Sequence, residues 1–321
     1  MRRRSFLRLL GAVTASRSVA ALAQPGPKLV AVLMQGGAYR VGFDGLRRAL
    51  EVEAPVNSIR LVLKEGGGDI DALKIAAAEF ERSGGDLLVT FASTVSLAAK
   101  EATERIPIVF IAGSDPVKYG LVDGISKPGG RLTGVASFRT EITPKRLALL
   151  HEMIPSLKRV VVFHHPANAT GRAGMESTRA AAKELKLDLI ERRVFSTEDI
   201  RRELDALTPQ TAEAFFFSNE AMVINSSQQI IERATGLGMA TMAQNLGSVA
   251  EGALAGYGLD YRQEGRLAAK YVLRILAGTR PSELPVEVSE RHVFGINLKT
   301  ARALGLTIPP TLLARADEVI E

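Results

Sequence analysis

Short apolar runs alternate with helix-length stretches twice over along this chain, and few folds accommodate that pattern. Lys28-Leu29-Val30-Ala31-Val32-Leu33-Met34 is almost wholly apolar, which marks a strand covered on both faces. Gly36-Gly37 then turns the chain into a helix through Val41, Leu46 and Leu50. The spacing predicts a strand over 58–63, a helix over 69–82, a strand over 86–91, a helix over 94–103 and a strand over 106–112. A helix over 145–153, closed by Pro155, leads into a second series: strand 159–164, helix 171–185, strands 188–194 and 214–217, helix 222–235, and strands 239–243 and 252–259. Strands separated by helices of about ten to fifteen residues require right-handed crossovers and hence parallel sheets. The expected fold is α/β, with two doubly wound parallel-sheet lobes, because a chain this long exceeds what one core serves. The two series share architecture rather than sequence.

The N-terminus sets the expected destination. Arg3-Arg4-Ser5-Phe6-Leu7-Arg8 precedes a weakly apolar run that ends in Ala21-Leu22-Ala23, the pattern of a twin-arginine export leader over 1–23. The run is too short to span a membrane. Removing it takes away five arginines and no carboxylate, leaving 36 basic against 35 acidic residues. A near-neutral mature chain without a basic face argues against nucleic acid as a partner. The sequence contains no cysteine, which excludes disulfides, thiolate metal sites and a lipid-anchored N-terminal cysteine. The expectation is a soluble, monomeric periplasmic protein.

No catalytic constellation is legible. The chain has no Gly-x-Ser-x-Gly elbow, phosphate-binding Walker loop, His-Glu-x-x-His helix or cysteine nucleophile, and Gly66-Gly67-Gly68 follows Lys64-Glu65 as a turn rather than a dinucleotide fingerprint. Adjacent His164 and His165 point to opposite faces of a strand, so they do not clamp a metal together. No cofactor is expected, and binding without conversion is the expected activity.

In parallel open sheets, ligands sit at the carboxyl ends of the strands, where helix N-termini offer free N–H groups. The first-lobe loops there present Gln35, Tyr39, Ser93, Thr94, Ser114 and Asp115. Those of the second present His164, Asn168, Ser218, Asn219, Gln244, Asn245, Tyr257 and Asp260. Each of these candidates has a second reading. Ser93 and Thr94 either cap a helix or meet a carboxylate, and Asp115 before Pro116 either starts a turn or holds an ammonium. Tyr39 either walls the crevice or shields a helix start. Asn219 and Asp260 either contact the ligand or cap helices, whereas His164 is expected to line the cleft while His165-Pro166 shapes the loop.

The last residues narrow the class. Leu284-Pro285-Val286-Glu287 and Ile296-Asn297-Leu298-Lys299-Thr300-Ala301-Arg302-Ala303-Leu304-Gly305-Leu306-Thr307-Ile308-Pro309-Pro310 resemble the C-terminal signature of ABC-transporter substrate-binding proteins of the tryptophan/tyrosine-binding type. Thinner matches run through Gly42-Phe43-Asp44-Gly45-Leu46, Asp115-Pro116-Val117 and Gly129-Gly130-Arg131-Leu132-Thr133-Gly134-Val135. The resemblance implies a type I periplasmic binding protein fold and a small-molecule solute, an amino acid or related carboxylate, delivered to an ABC permease. It also implies that the helix over 261–277 returns to the first lobe, while strands near Val286 and Val293 cross to the second. The implied division is 24–139 plus 260–282 against 140–259 plus 283–321, with three crossings as a hinge. Thr90-Phe91-Ala92-Ser93-Thr94-Val95 departs from the small-residue Gly-Thr-Pro turn of the family, so the solute itself is not carried over. A ligand-sensing protein of the same fold and an exported α/β enzyme are the alternative classes.

Overall fold

The computed structural model describes residues 26–137, 142–289 and 291–321. The expected export leader lies outside these residues. The first lobe begins with β1 (Lys28–Met34), α1 (Tyr39–Glu53), β2 (Ile59–Glu65), α2 (Ile70–Arg82), β3 (Leu87–Phe91), α3 (Ser93–Ala102), β4 (Ile108–Ala112) and β5 (Leu132–Ala136). The second follows with α4 (Thr143–Met153), β6 (Arg159–His164), α5 (Ala169–Glu184), β7 (Asp188–Arg193), α6 (Thr197–Asp205), β8 (Ala214–Phe216), α7 (Ala221–Asn225), α8 (Ser227–Gly236), β9 (Ala240–Asn245), α9 (Leu246–Ala250) and β10 (Ala255–Leu259). The chain ends in α10 (Tyr261–Leu276), β11 (Glu287–Val288), β12 (His292–Asn297), α11 (Leu298–Ala303), α12 (Pro310–Leu313) and β13 (Glu318–Ile320).

The strands form two sheets, ordered β11-β5-β4-β3-β1-β2 and β13-β12-β10-β9-β8-β6-β7. The first is parallel throughout its pairings. In the second, β12 runs antiparallel to β10 and the other pairs are parallel. This is the two-lobed α/β architecture expected from the alternation. The central strands β3 and β4 are buried at every residue, because helices cover both sheet faces. Along β6 the side chains alternate between two cores, Val160 and Val162 on one face and Val161 and Phe163 on the other.

The helix α10 packs on α1 through small residues. A β-carbon at Gly45 would stand 2.2 Å from the Arg262 carbonyl oxygen, and one at Gly265 2.0 Å from that of Gly42. Only glycine permits that approach, which fixes α10 in the first lobe. One expectation is corrected here. The strand near Val286 does not cross to the second lobe, because β11 pairs with β5 and ends the first sheet, with Val286 itself in the first-lobe core. The crossing comes afterwards, before β12. The single helix expected over 222–235 is divided at Ser226, whose Oγ donates to the Met222 carbonyl oxygen at 3.1 Å.

Candidate functional site

The carboxyl ends of β1, β3 and β4 face those of β6 and β8 across a closed cleft. Asn225 at the end of α7 meets the first lobe directly: a β-carbon at Gly36 would lie 2.8 Å from its Oδ1, and Gly36 holds φ of +107°. A β-carbon at Gly68 would lie 2.4 Å from the Thr197 methyl of the other lobe. Ala221 and Ile224, from the second lobe, are buried within the first-lobe core cluster. The lobes are therefore in contact along this edge.

Two compartments lie between them. The smaller, about 20 Å³, is lined by Tyr39, Ala92, Ser93, Thr94, Gly113 and Ser114 of the first lobe and by Asn219 and Ala221 of the second. Tyr39 is fully buried, its ring 5.2 Å from that of Tyr261 and 6.5 Å from that of Phe91, so it forms a rigid wall. Ala92 precedes α3 with φ of +82°, a conformation that favours glycine, and this strained residue sits in the compartment lining. The first turn of α3 leaves N–H groups without intrahelical partners. Beside them, Ser93 Oγ and both polar atoms of the Asn219 amide lack hydrogen-bond partners among the described residues. Buried polar groups are seldom left this way unless a ligand or water completes them.

The larger compartment, about 260 Å³, is lined by Gln35, Gly68, Ile70 and Thr94 against His165, Ala167, Asn168, Phe195, Glu220, Ala221 and Met222. Gln35 is held by its Oε1, which accepts from the Gly68 N–H at 2.8 Å. Glu220 is 2 % exposed. Its Oε2 accepts from Asn168 Nδ2 at 2.8 Å and its Oε1 from the His165 N–H at 3.4 Å. Burial pushes its carboxyl up to about 7, against the pull of those two hydrogen bonds. A β-carbon at Gly171 would fall 1.5 Å from Glu220 Oε1, so the glycine in the first turn of α5 makes room for the carboxylate.

The structure thus brings together Gln35, Tyr39, Ser93, Thr94, Ser114, Asn168 and Asn219 of the expected residues. Ser218 and Gln244 stand behind them: the Gln244 amide donates to the Ser218 carbonyl oxygen, while Ser218 Oγ and Gln244 Oε1 have no partner among the described residues. Five expectations are corrected. Asp115 lines neither compartment, and its Oδ1 accepts from the Val117 and Lys118 N–H groups at 2.9 and 3.0 Å, the turn-forming role. Asn245 caps α9 through the Ser248 N–H, and Asp260 caps α10 through the Gln263 N–H. Tyr257 packs on His292 and Phe294 in the second-lobe core region. His164 points away from the cleft, its Nε2 3.3 Å from Glu191 Oε2 in a surface pocket with Arg179 and Arg193. Burial holds its imidazole below the ordinary value against the attraction of Glu191.

Sequence reasoning missed Glu220, Phe195, Met222 and His165. Glu220 directly follows the expected residues Ser218 and Asn219, and an acid in the loop after a strand was the available signal. His165 was assigned to loop shape, but strand alternation already placed it opposite His164.

The chain matches the family described as ABC transporter substrate binding protein over residues 29–320 and belongs to it. It is 24% identical over 250 residues to a tyrosine-binding protein of Clostridioides difficile (strain R20291), covering 78% of this chain and 72% of that protein. A conserved domain protein from Vibrio cholerae is 26% identical, with a TM-score of 0.81 over 91% of this chain and 99% of the other. A Streptococcus pneumoniae ABC domain in complex with L-Trp is 21% identical, with a TM-score of 0.82 over 92% and 100%. The neighbours share the two-lobed fold. No helix among the described residues is long and apolar enough to cross a membrane.

Proposed function

We propose that this protein is a periplasmic solute receptor that traps a small carboxylate-bearing molecule, an amino acid or a close relative, between its lobes and presents it to an ABC permease. The observation that carries the reading is a pair of groups without partners among the described residues, Ser93 Oγ at the start of α3 and the Asn219 amide facing it from the other lobe. Free N–H groups and a hydroxyl at a helix start suit a carboxylate, and the opposing amide binds it only when the lobes meet. Recognition and closure are thereby coupled, as they must be, since a solute with equal affinity for both states would shift nothing. The amino acids named for the Clostridioides and Streptococcus relatives support a solute of this kind. The three chain crossings, after β5, before α10 and before β12, act as the hinge, and the closed pair of lobes is the surface the permease reads. The cleft residues hold, orient and desolvate the solute without converting it.

A thermal-shift screen of protein purified without residues 1–23, against amino acids and small carboxylic acids, tests the reading. The expected result is stabilisation by a carboxylate solute at one site per chain, with the solute recovered unaltered. Failure of every carboxylate to bind, or recovery of a converted product, would overturn it.

A further inference from the structure

Among the described residues, Glu220 is the only acidic side chain lining the larger compartment, and no lysine or arginine lines that compartment with it. Among the described residues its two hydrogen bonds come from neutral groups, the Asn168 amide and the His165 backbone N–H. Neutral donors orient a buried carboxylate without neutralising it, and a buried charge is costly unless paired with an opposite one. The neighbouring residues Asn219 and Ala221 line the small compartment, and Thr94 and Ala221 border both. One solute can therefore extend from the start of α3 to Glu220. The compartment also presents the apolar side chains of Ile70, Phe195 and Met222. An apolar cavity of about 150 Å³ holds benzene. The compartment of about 260 Å³ therefore accepts a longer body.

We infer that the solute is two-ended, with a carboxylate at α3 and, at the far end of an apolar chain, a cationic nitrogen that pairs with Glu220. This inference rests on the receptor reading above and specifies its solute class as ω-amino or guanidino carboxylates. Gly171 is the supporting device, since any side chain there would occupy the space of the carboxylate oxygen. His165 is the other titratable group of the compartment, and its Nδ1 accepts from the Ala167 N–H at 3.2 Å, which fixes that nitrogen as an acceptor. Among the described residues Glu220 is thus the negative group available to a solute cation there.

Titration calorimetry at about pH 8 would compare L-arginine, L-lysine and ω-aminohexanoate with L-norleucine and hexanoate. A charge-assisted contact makes the far-end cations bind about tenfold to hundredfold tighter than the uncharged chains. Glu220→Gln, whose ligand-free melting serves as the folding control, erases that preference. Without any variant, the preference of the native protein also grows as pH rises through about 7, where burial places Glu220 ionisation. Equal or tighter binding of L-norleucine or hexanoate overturns the far-end cation while leaving the receptor reading standing. An unchanged preference in Glu220→Gln overturns it as well. Absence of binding by every cationic member at millimolar concentration overturns the solute class, and only failure of the broader carboxylate screen reaches the receptor reading.

Discussion

Gly37 of the first lobe and Asn225 of the second meet backbone to backbone, so that a β-carbon at position 37 would stand 2.9 Å from the Asn225 carbonyl oxygen. Gly37 also holds φ of +57°, a left-handed conformation. A closed cleft therefore depends, here as at Gly36 and Gly68, on the absence of a side chain, and Gly37 itself lines neither compartment.

Gly37→Ala is expected to hold the lobes apart. The left-handed alanine costs about 1–2 kcal/mol in either state, but the clash with Asn225 arises only on closure. Solute affinity should fall further than ligand-free stability. Small-angle scattering would show a larger radius of gyration for the unliganded variant, and a radius unchanged from the native protein would count against the contact.

Asn219→Ala should separate binding from folding. Its amide atoms have no partners among the described residues, so the melting temperature stays nearly unchanged. Affinity for the screened solute falls by about tenfold. A marked loss of stability with intact affinity would return Asn219 to a structural role.

Asp115→Ala should behave in the opposite way. Losing two hydrogen bonds from Val117 and Lys118 resembles losing a helix cap, worth about 0.5–2 kcal/mol. Denaturant unfolding should show that loss while calorimetry shows native affinity.

The strained Ala92 offers a stabilising change. Ala92→Gly relieves a strain of about 1–3 kcal/mol and costs about 0.5–1 kcal/mol in unfolded-chain freedom, for a net gain of about 1 kcal/mol. Chemical denaturation of the ligand-free protein measures it, and a lower midpoint would show that the methyl group contributes packing that outweighs the strain.

Glu220 predicts a pH dependence of ligand-free stability. Its carboxyl lies at about 7 when folded and near the ordinary 4.5 when unfolded, so between these values the folded protein binds more protons. Stability therefore declines as pH rises through that window, by an amount on the order of 3 kcal/mol, and the loss is complete above it. Glu220→Gln should lack this contribution, so its stability falls less than the native protein's as pH rises through the window. Parallel pH profiles for the two proteins would remove the assignment.

The alternation of apolar runs made the two sheets legible because fully covered strands such as β3 and β4 need no polar alternate. β5 was not read from periodicity, since Gly134 interrupts it with φ of +151° against the Phe110 backbone. The two-residue β11 carries no periodic signal, which is why its sheet was misplaced. The helix α6 was missed despite Ser196-Thr197-Glu198-Asp199, a capping pattern confirmed by the Asp199 N–H donating to Ser196 Oγ at 3.1 Å. At the site, the loops were legible but their roles divided. Asp115, Asn245 and Asp260 accept from backbone N–H groups two or three residues ahead, and the same side chains would serve a ligand equally well. Which use prevails depends on where the opposite lobe comes to rest, a relation between residues far apart in the chain.

Ala221 and Ile224 lie inside the core of the lobe they do not belong to. Opening the cleft must therefore hydrate apolar surface, and closing it must remove that water, which gives closure a negative heat capacity change. The equilibrium between open and closed forms is then temperature-dependent even with no solute present. Cooling weakens apolar burial and loosens the empty receptor. A cell in the cold would thus meet more open clefts, and the temperature of the moment becomes part of the protein's readiness to capture.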